Sequence, residues 1–143
     1  MKTLVTGGTG CIGSTLVERL IAKGYDVRSL ARRTSNLSHL RTTGAEIVFG
    51  DIAQYDSLPP VVRGIDMVFH CAAKVTPGWG TWPEYEANTV KGTENMLRAS
   101  AEAVQERTPG DFILIAPHLT SNTVQVHYCP PCLCLLTEVC RSS

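Results

Sequence analysis

The sequence predicts an α/β fold, a doubly wound open sheet of five parallel strands in the order 3-2-1-4-5 with helices on both faces. Three observations predict it. Apolar runs of strand length alternate with helix-period segments through residue 116. A glycine-rich turn, Thr6-Gly7-Gly8-Thr9-Gly10-Cys11-Ile12-Gly13, joins the first strand to the first helix. The stretch Asp66-Met67-Val68-Phe69-His70 is nearly continuous in its apolar character, as a strand covered on both faces should be.

The elements follow in order. Leu4-Val5 marks the first strand, and Ile12, Leu16, Val17, Leu20 and Ile21 then recur as one helical stripe, with Glu18, Arg19 and Lys23 on the other faces. Gly24 is placed to stop that helix. A second strand runs from Tyr25 to Leu30. Ser35 or Asn36 caps a short helix through Leu37, Leu40 and Arg41, ended by Gly44. Glu46 to Phe49 is the third strand, closed by Gly50-Asp51. Ser57 to Val62 is a short helix with Pro59 and Pro60 in its first turn, stopped by Gly64. After the fourth strand, a glycine- and tryptophan-bearing loop from Val75 to Pro83 precedes a long helix from about Glu84 to Arg107. Its buried side is marked by Val90, Leu97, Ala101 and Val104, and Asp111 to Ile115 is the fifth strand.

The pattern then breaks. Residues 117–143 carry one basic and one acidic residue, Arg141 and Glu138, with three prolines and four cysteines, and no period persists. The sequence therefore divides into a domain at 1–116 and an atypical Cys/Pro-rich tail at 117–143, expected to be poorly ordered. Cys129-Pro-Pro-Cys132 has the spacing of zinc or redox sites, but Cys134 and Cys140 do not supply a second well-spaced pair, so no metal is expected. Cys11 and Cys71 are expected in the interior as small hydrophobes. The 13 basic and 13 acidic residues balance, and no basic stripe points to nucleic acid. No stretch approaches the roughly 18 apolar residues of a membrane helix. Gly7 and Gly8 interrupt the first apolar run before a signal-peptide core could form. The expectation is a soluble, cytoplasmic protein.

The glycine turn carries the chemistry. Gly8, Gly10 and Gly13 fit one phosphate-loop spacing, and Gly7, Gly10 and Gly13 fit another. Such a loop needs one glycine for the tight turn, one for close approach of backbone N–H groups to a pyrophosphate, and one for helix–sheet packing. The helix start then presents free N–H groups and its positive dipole end to the phosphates. An ordinary glycine-rich turn is the alternative; the strand–loop–helix order argues against it.

With this loop, Gly50-Asp51-Ile52 after the third strand, His70-Cys71-Ala72-Ala73 after the fourth, and Asn88-Thr89-Val90-Lys91-Gly92-Thr93-Glu94-Asn95 on the long helix, residues 2–115 resemble the cofactor-binding part of an extended short-chain dehydrogenase/reductase. The resemblance is to the NAD-dependent epimerase/dehydratase and 3-beta-hydroxysteroid dehydrogenase-like group. It implies a Rossmann-type fold, incomplete relative to the family, holding a dinucleotide. It places the cofactor at Gly7, Gly8, Thr9, Gly10, Cys11, Ile12 and Gly13, at Asp51 and Ile52 beside the adenine, and at Ala72 and Ala73 beside the ribose and nicotinamide. Taken alone Asp51 reads as a surface turn, but beside the other motifs the adenine role is favoured; the two alanines are also small residues that helix packing demands, and the two readings are compatible. Asn88 is expected to hydrogen-bond backbone at the adjacent strand ends. At the end of strand two an NAD-selective site carries an acid; here the chain reads Ala31-Arg32-Arg33-Thr34-Ser35. Arg32 and Arg33 can fork onto a 2′-phosphate, which favours NADP over NAD, unless they are a solvated loop pair.

The family's catalytic tyrosine with a lysine four residues on is not found. The tyrosines are at 25, 55, 85 and 128, followed four places later by Ser29, Pro59, Thr89 and Cys132, and no lysine occurs after Lys91. Ala116-Pro117 stands where the family has serine or threonine. No catalytic residue is therefore expected in this chain. The sequence points to the dinucleotide-binding domain of an oxidoreductase or epimerase, without turnover as it stands. The rival readings are a non-catalytic sensing module and a truncated gene fragment.

Overall fold

The computed structural model describes residues 1–74, 81–105, 112–117 and 124–129. Six strands form one sheet in the order β3-β2-β1-β4-β5-β6. They are β1 (Lys2–Thr6), β2 (Asp26–Ala31), β3 (Glu46–Phe49), β4 (Met67–His70), β5 (Phe112–Pro117) and β6 (Val124–Cys129). The first five are parallel and in the expected order 3-2-1-4-5, with registers such as Leu4 opposite Arg28 and Val68, and Val68 opposite Leu114.

The helices are α1 (Cys11–Ala22), α2 (Leu40–Thr43), α3 (Pro59–Val62), α4 (Trp82–Tyr85) and α5 (Lys91–Gln105). Alternation along the strands separates two cores. Leu4, Leu30 and Val68 pack with Leu58, Val61, Val62, Ile65, Met96 and Ala99 under α3 and α5. Val5 and Val27 pack with Val17, Leu20 and Leu40 under α1 and α2. Adjacent residues of β1 thus enter opposite cores, as a period of two requires. Gly24, at φ +83, ends α1, with its N–H donated to Ile21 O at 2.8 Å.

Three expectations are corrected. Regular structure does not stop at 116: β5 reaches Pro117, and β6 pairs with it antiparallel, Ile113 opposite Tyr128. The sequence alternates Val124, Val126 and Tyr128 against Gln125, His127 and Cys129, a strand pattern too short to stand out among the prolines and cysteines around it. The long helix is not one helix. A capping box at Thr81 and Glu84 starts α4, and a π-helical turn, Glu86–Val90, separates it from α5. The helix expected at 57–62 is present as α3, Pro59–Val62, with both prolines in its first turn, and only its start is corrected: Tyr55–Ser57 form a separate 3₁₀ turn before it. The loop at 75–80 and residues 130–143, with Cys132, Cys134 and Cys140, lie outside the described residues.

Candidate functional site

The glycine loop leaves β1 after Thr6, and close packing fixes most of it. Gly7 has φ +71, and a Cβ there would lie 2.8 Å from the backbone of Cys71 and Ala72. A Cβ at Gly8 would lie 2.2 Å from Ser29 Oγ, and one at Gly13 would lie 2.1 Å from Gly7 O. Gly7 and Gly8 are therefore both required, and the two spacings read from the sequence are not exclusive. Gly10 differs. A Cβ there would meet only Gly7 O, at 3.3 Å, a tight contact but not the clash found at the other three. Gly10 is also the N-cap of α1, with no side-chain cap and no acid in the first turn, which leaves the helix's first N–H groups and its positive end to an incoming anion.

These groups border a cleft of about 580 Å³ across the carboxyl ends of β1 to β4, where open parallel sheets bind ligands. Gly7, Thr9 and Gly10 form one wall, and Arg32 and Ser35 follow from β2. Asp51 and Ile52 close the β3 side, and Ala72, Ala73 and Lys74 the β4 side, with Glu84 and Asn88 at the rim. Of the residues expected at the site, nine line the cleft: Gly7, Thr9, Gly10, Arg32, Asp51, Ile52, Ala72, Ala73 and Asn88. Gly8 and Gly13 support the loop from behind. Cys11 and Ile12 start α1 and are exposed, Ile12 by 73%. This corrects both the interior placement of Cys11 and the apolar stripe, which begins at the buried Gly13 and Val17. Cys71 is half-buried against the cleft, and burial pushes its thiol pKa up. Arg33 does not line the cleft; its guanidinium lies 5.2 Å from the centroid of the Phe49 ring.

Neighbouring elements hold the walls. Asp51 Oδ1 accepts the Ala53 N–H at 3.0 Å, an Asx turn that fixes the carboxylate at the end of β3. Asn95 Nδ2 donates to Ile52 O at 2.8 Å from α5. Asn88, expected to bond backbone at the strand ends, instead donates its Nδ2 to Glu84 O at 2.8 Å within its own helical stretch. Residues outside the sequence expectation also contribute. Lys74 pairs with Glu84 at 3.0 Å across the rim. The Thr81 backbone N–H and then Lys74 hold the Glu84 carboxyl below its usual range. His70, only 4% exposed, bonds Thr6 Oγ1 through Nδ1 at 2.8 Å and Thr93 Oγ1 through Nε2 at 3.1 Å. Burial lowers its pKa to about 4, so it is neutral. Lys74 was legible only as the residue after Ala73, since its partner is ten positions away.

Residues 3–115 match the sequence profile of the NAD dependent epimerase/dehydratase family. The chain belongs to that family. The fold implied by the resemblance, a Rossmann-type sheet, is the fold observed. Among its relatives is a 4-hydroxy-2-methyl-3-oxo-4-farnesyl-3,4-dihydroquinoline-1-oxide ketoreductase of Stigmatella aurantiaca, 35% identical over 107 residues, covering 75% of this chain and 32% of the relative. A 3-beta-hydroxysteroid dehydrogenase of Mycolicibacterium neoaurum is 36% identical over 113 residues, covering 74% of this chain and 30% of the relative. A UDP-glucose-4-epimerase from Stenotrophomonas maltophila, solved with bound NAD and formylated UDP-arabinopyranose, superposes with a TM-score of 0.63 at 30% identity. That match covers 72% of this chain and 34% of the solved one. The chain thus spans about a third of the length of these relatives. Among the described residues no helix is long and apolar enough to cross a membrane.

Proposed function

We propose that this chain binds a pyridine dinucleotide as the cofactor-holding part of an oxidoreductase or epimerase acting on a sugar nucleotide, a steroid-like alcohol or a similar secondary alcohol. The observation that carries this reading is Gly10. Packing inside the chain demands Gly7, Gly8 and Gly13, but a Cβ at Gly10 would meet only Gly7 O, and Gly10 lines the cleft, where a pyrophosphate needs the room. In this reading the α1 N–H groups and the loop hold the pyrophosphate, Asp51 and Ile52 border the adenine, and Ala72 and Ala73 leave space beside the nicotinamide ribose. The bound nicotinamide would supply hydride chemistry.

NADP is the proposed preference. β2 ends at Ala31 without an acid, and Arg32 follows at the cleft wall with Ser35 beside it. A guanidinium there is suited to a 2′-phosphate. Arg33, stacked on Phe49, supports the same edge from outside. Losing a charge-assisted contact costs about 1.5–3 kcal/mol. Fluorescence titration should therefore show tighter binding of NADPH than NADH, and Arg32→Ala with Arg33→Ala should erase the difference. Equal affinities in the unmutated chain would overturn the preference.

Proton transfer at the substrate is a separate requirement, and the tyrosine–lysine pair of the resemblance is not among these 143 residues. The 143-residue chain is proposed to bind cofactor without turnover. Absorbance of the reduced cofactor should stay constant across sugar-nucleotide, steroid and secondary-alcohol panels; sustained oxidation would contradict this.

A further inference from the structure

Behind the cleft, one set of hydrogen bonds joins β1, β4, the π-helical turn and α5, and its polarity follows from the donors. Thr93 Oγ1 donates to Thr89 O at 2.6 Å, and a carbonyl can only accept. The single hydroxyl proton of Thr93 is thereby used, so at 3.1 Å it accepts from His70 Nε2. His70 is neutral and carries its proton on Nε2, which makes Nδ1 an acceptor. Thr6 Oγ1 therefore donates to Nδ1 at 2.8 Å, and its lone pairs accept the Ala72 N–H at 3.2 Å. Every donor in the row has one acceptor, running from Ala72 through Thr6, His70 and Thr93 to Thr89. Thr89 Oγ1 also accepts the Lys74 N–H at 3.2 Å.

The row meets the cleft at Ala72 and Thr6 and, through Thr89, at Lys74 beyond its other end. Thr6, Ala72 and Lys74 line the cleft, whereas His70 and Thr93 stand behind it. Thr6 immediately precedes Gly7, where an added Cβ would lie 2.8 Å from the backbone of Cys71 and Ala72. Thr89 belongs to the π-helical turn, a feature frequent at functional sites. We propose that His70, held as the Nε2–H tautomer by Thr93, is a positioning residue for the dinucleotide: it transmits the position of α5 to the Thr6 hydroxyl and so sets the spacing between the glycine loop and the Ala72–Lys74 edge. This inference rests on reading the cleft as a dinucleotide site.

The test uses Thr93, which touches no part of the cleft. Thr93→Val removes the acceptor that fixes the His70 tautomer. It should weaken NADPH binding to the folded chain about tenfold, the equivalent of one hydrogen bond of roughly 1.4 kcal/mol. Thr93→Ser keeps the hydroxyl and should restore binding. Nitrogen-15 NMR of the imidazole should show Nε2–H in the unmutated chain and a mixture of tautomers in Thr93→Val. A folded Thr93→Val chain that binds NADPH as tightly as the unmutated one overturns the inference while leaving the dinucleotide site standing. An unmutated chain that binds neither NADPH nor NADH overturns the dinucleotide reading, and this role with it. Should Thr93→Val not fold, the unmutated chain still decides, because an Nδ1–H tautomer there contradicts the proposal.

Discussion

A Cβ at Gly13 would lie 2.1 Å from Gly7 O, whereas one at Gly10 would meet only that oxygen at 3.3 Å. Neighbouring glycines of one motif are thus needed for different reasons, and sequence spacing cannot separate them. The same holds for Arg32 and Arg33. Side by side in the sequence, they diverge, one to the cleft and one to Phe49. His70 lends itself to a pH test. Its pKa is about 4 in the folded chain against 6.5 when unperturbed, so the unfolded chain binds its proton first as pH falls. The stabilisation is complete above about 6.5 and is lost toward pH 4, of order 3 kcal/mol in all. Glu46, lowered first by its hydrogen bond to Arg28, gives up its contribution only below its unperturbed 4.5. Urea denaturation between pH 7 and 4.5 should show this loss, and a His70→Asn chain, less stable throughout, should show a shallower slope. An unchanged slope would contradict a buried neutral imidazole.

At the scale of elements, α5 sets the β3 side of the cleft through Ile52. A Cβ at Gly92 would lie 2.6 Å from Ile52 Cδ1, and Asn95 bonds Ile52 O, so helix and β3 loop are fitted to each other. In a helix interior alanine is favoured over glycine by about 1 kcal/mol, but overpacking typically costs about 1–3 kcal/mol. Gly92→Ala is expected to be neutral to about 2 kcal/mol less stable in urea and to weaken dinucleotide binding by displacing Ile52. A stabilised chain with unchanged affinity would show that the contact does not constrain the site. Much of this was legible in sequence, because Gly92 and Asn95 stand in the motif that carried the resemblance. The π turn was not, since an apolar stripe of period 3.6 does not register one i→i+5 turn. Nor was β6, whose six residues alternate within a tail dominated by proline and cysteine. The α1 stripe was read one turn too far because Ile12, apolar in type, stands where the helix emerges beside the cleft.

For the molecule as a whole, strand order and both cores follow from alternation of period-2 and period-3.6 segments, and the order 3-2-1-4-5 brings the ends of β1 and β4 together. That juxtaposition lets Gly7 meet Ala72 and lets Thr6 meet His70. This meeting point is proposed as a pyrophosphate cradle with Gly10 in its wall. Isothermal titration of NADPH into the unmutated chain and into Gly10→Val tests it most directly. Gly10 has φ −91 and ψ 170, an extended conformation that valine adopts readily, so the variant should keep its circular dichroism spectrum. The expected result is measurable binding to the unmutated chain and none to Gly10→Val. Equal affinity in the two would place the phosphate site elsewhere and contradict the claim.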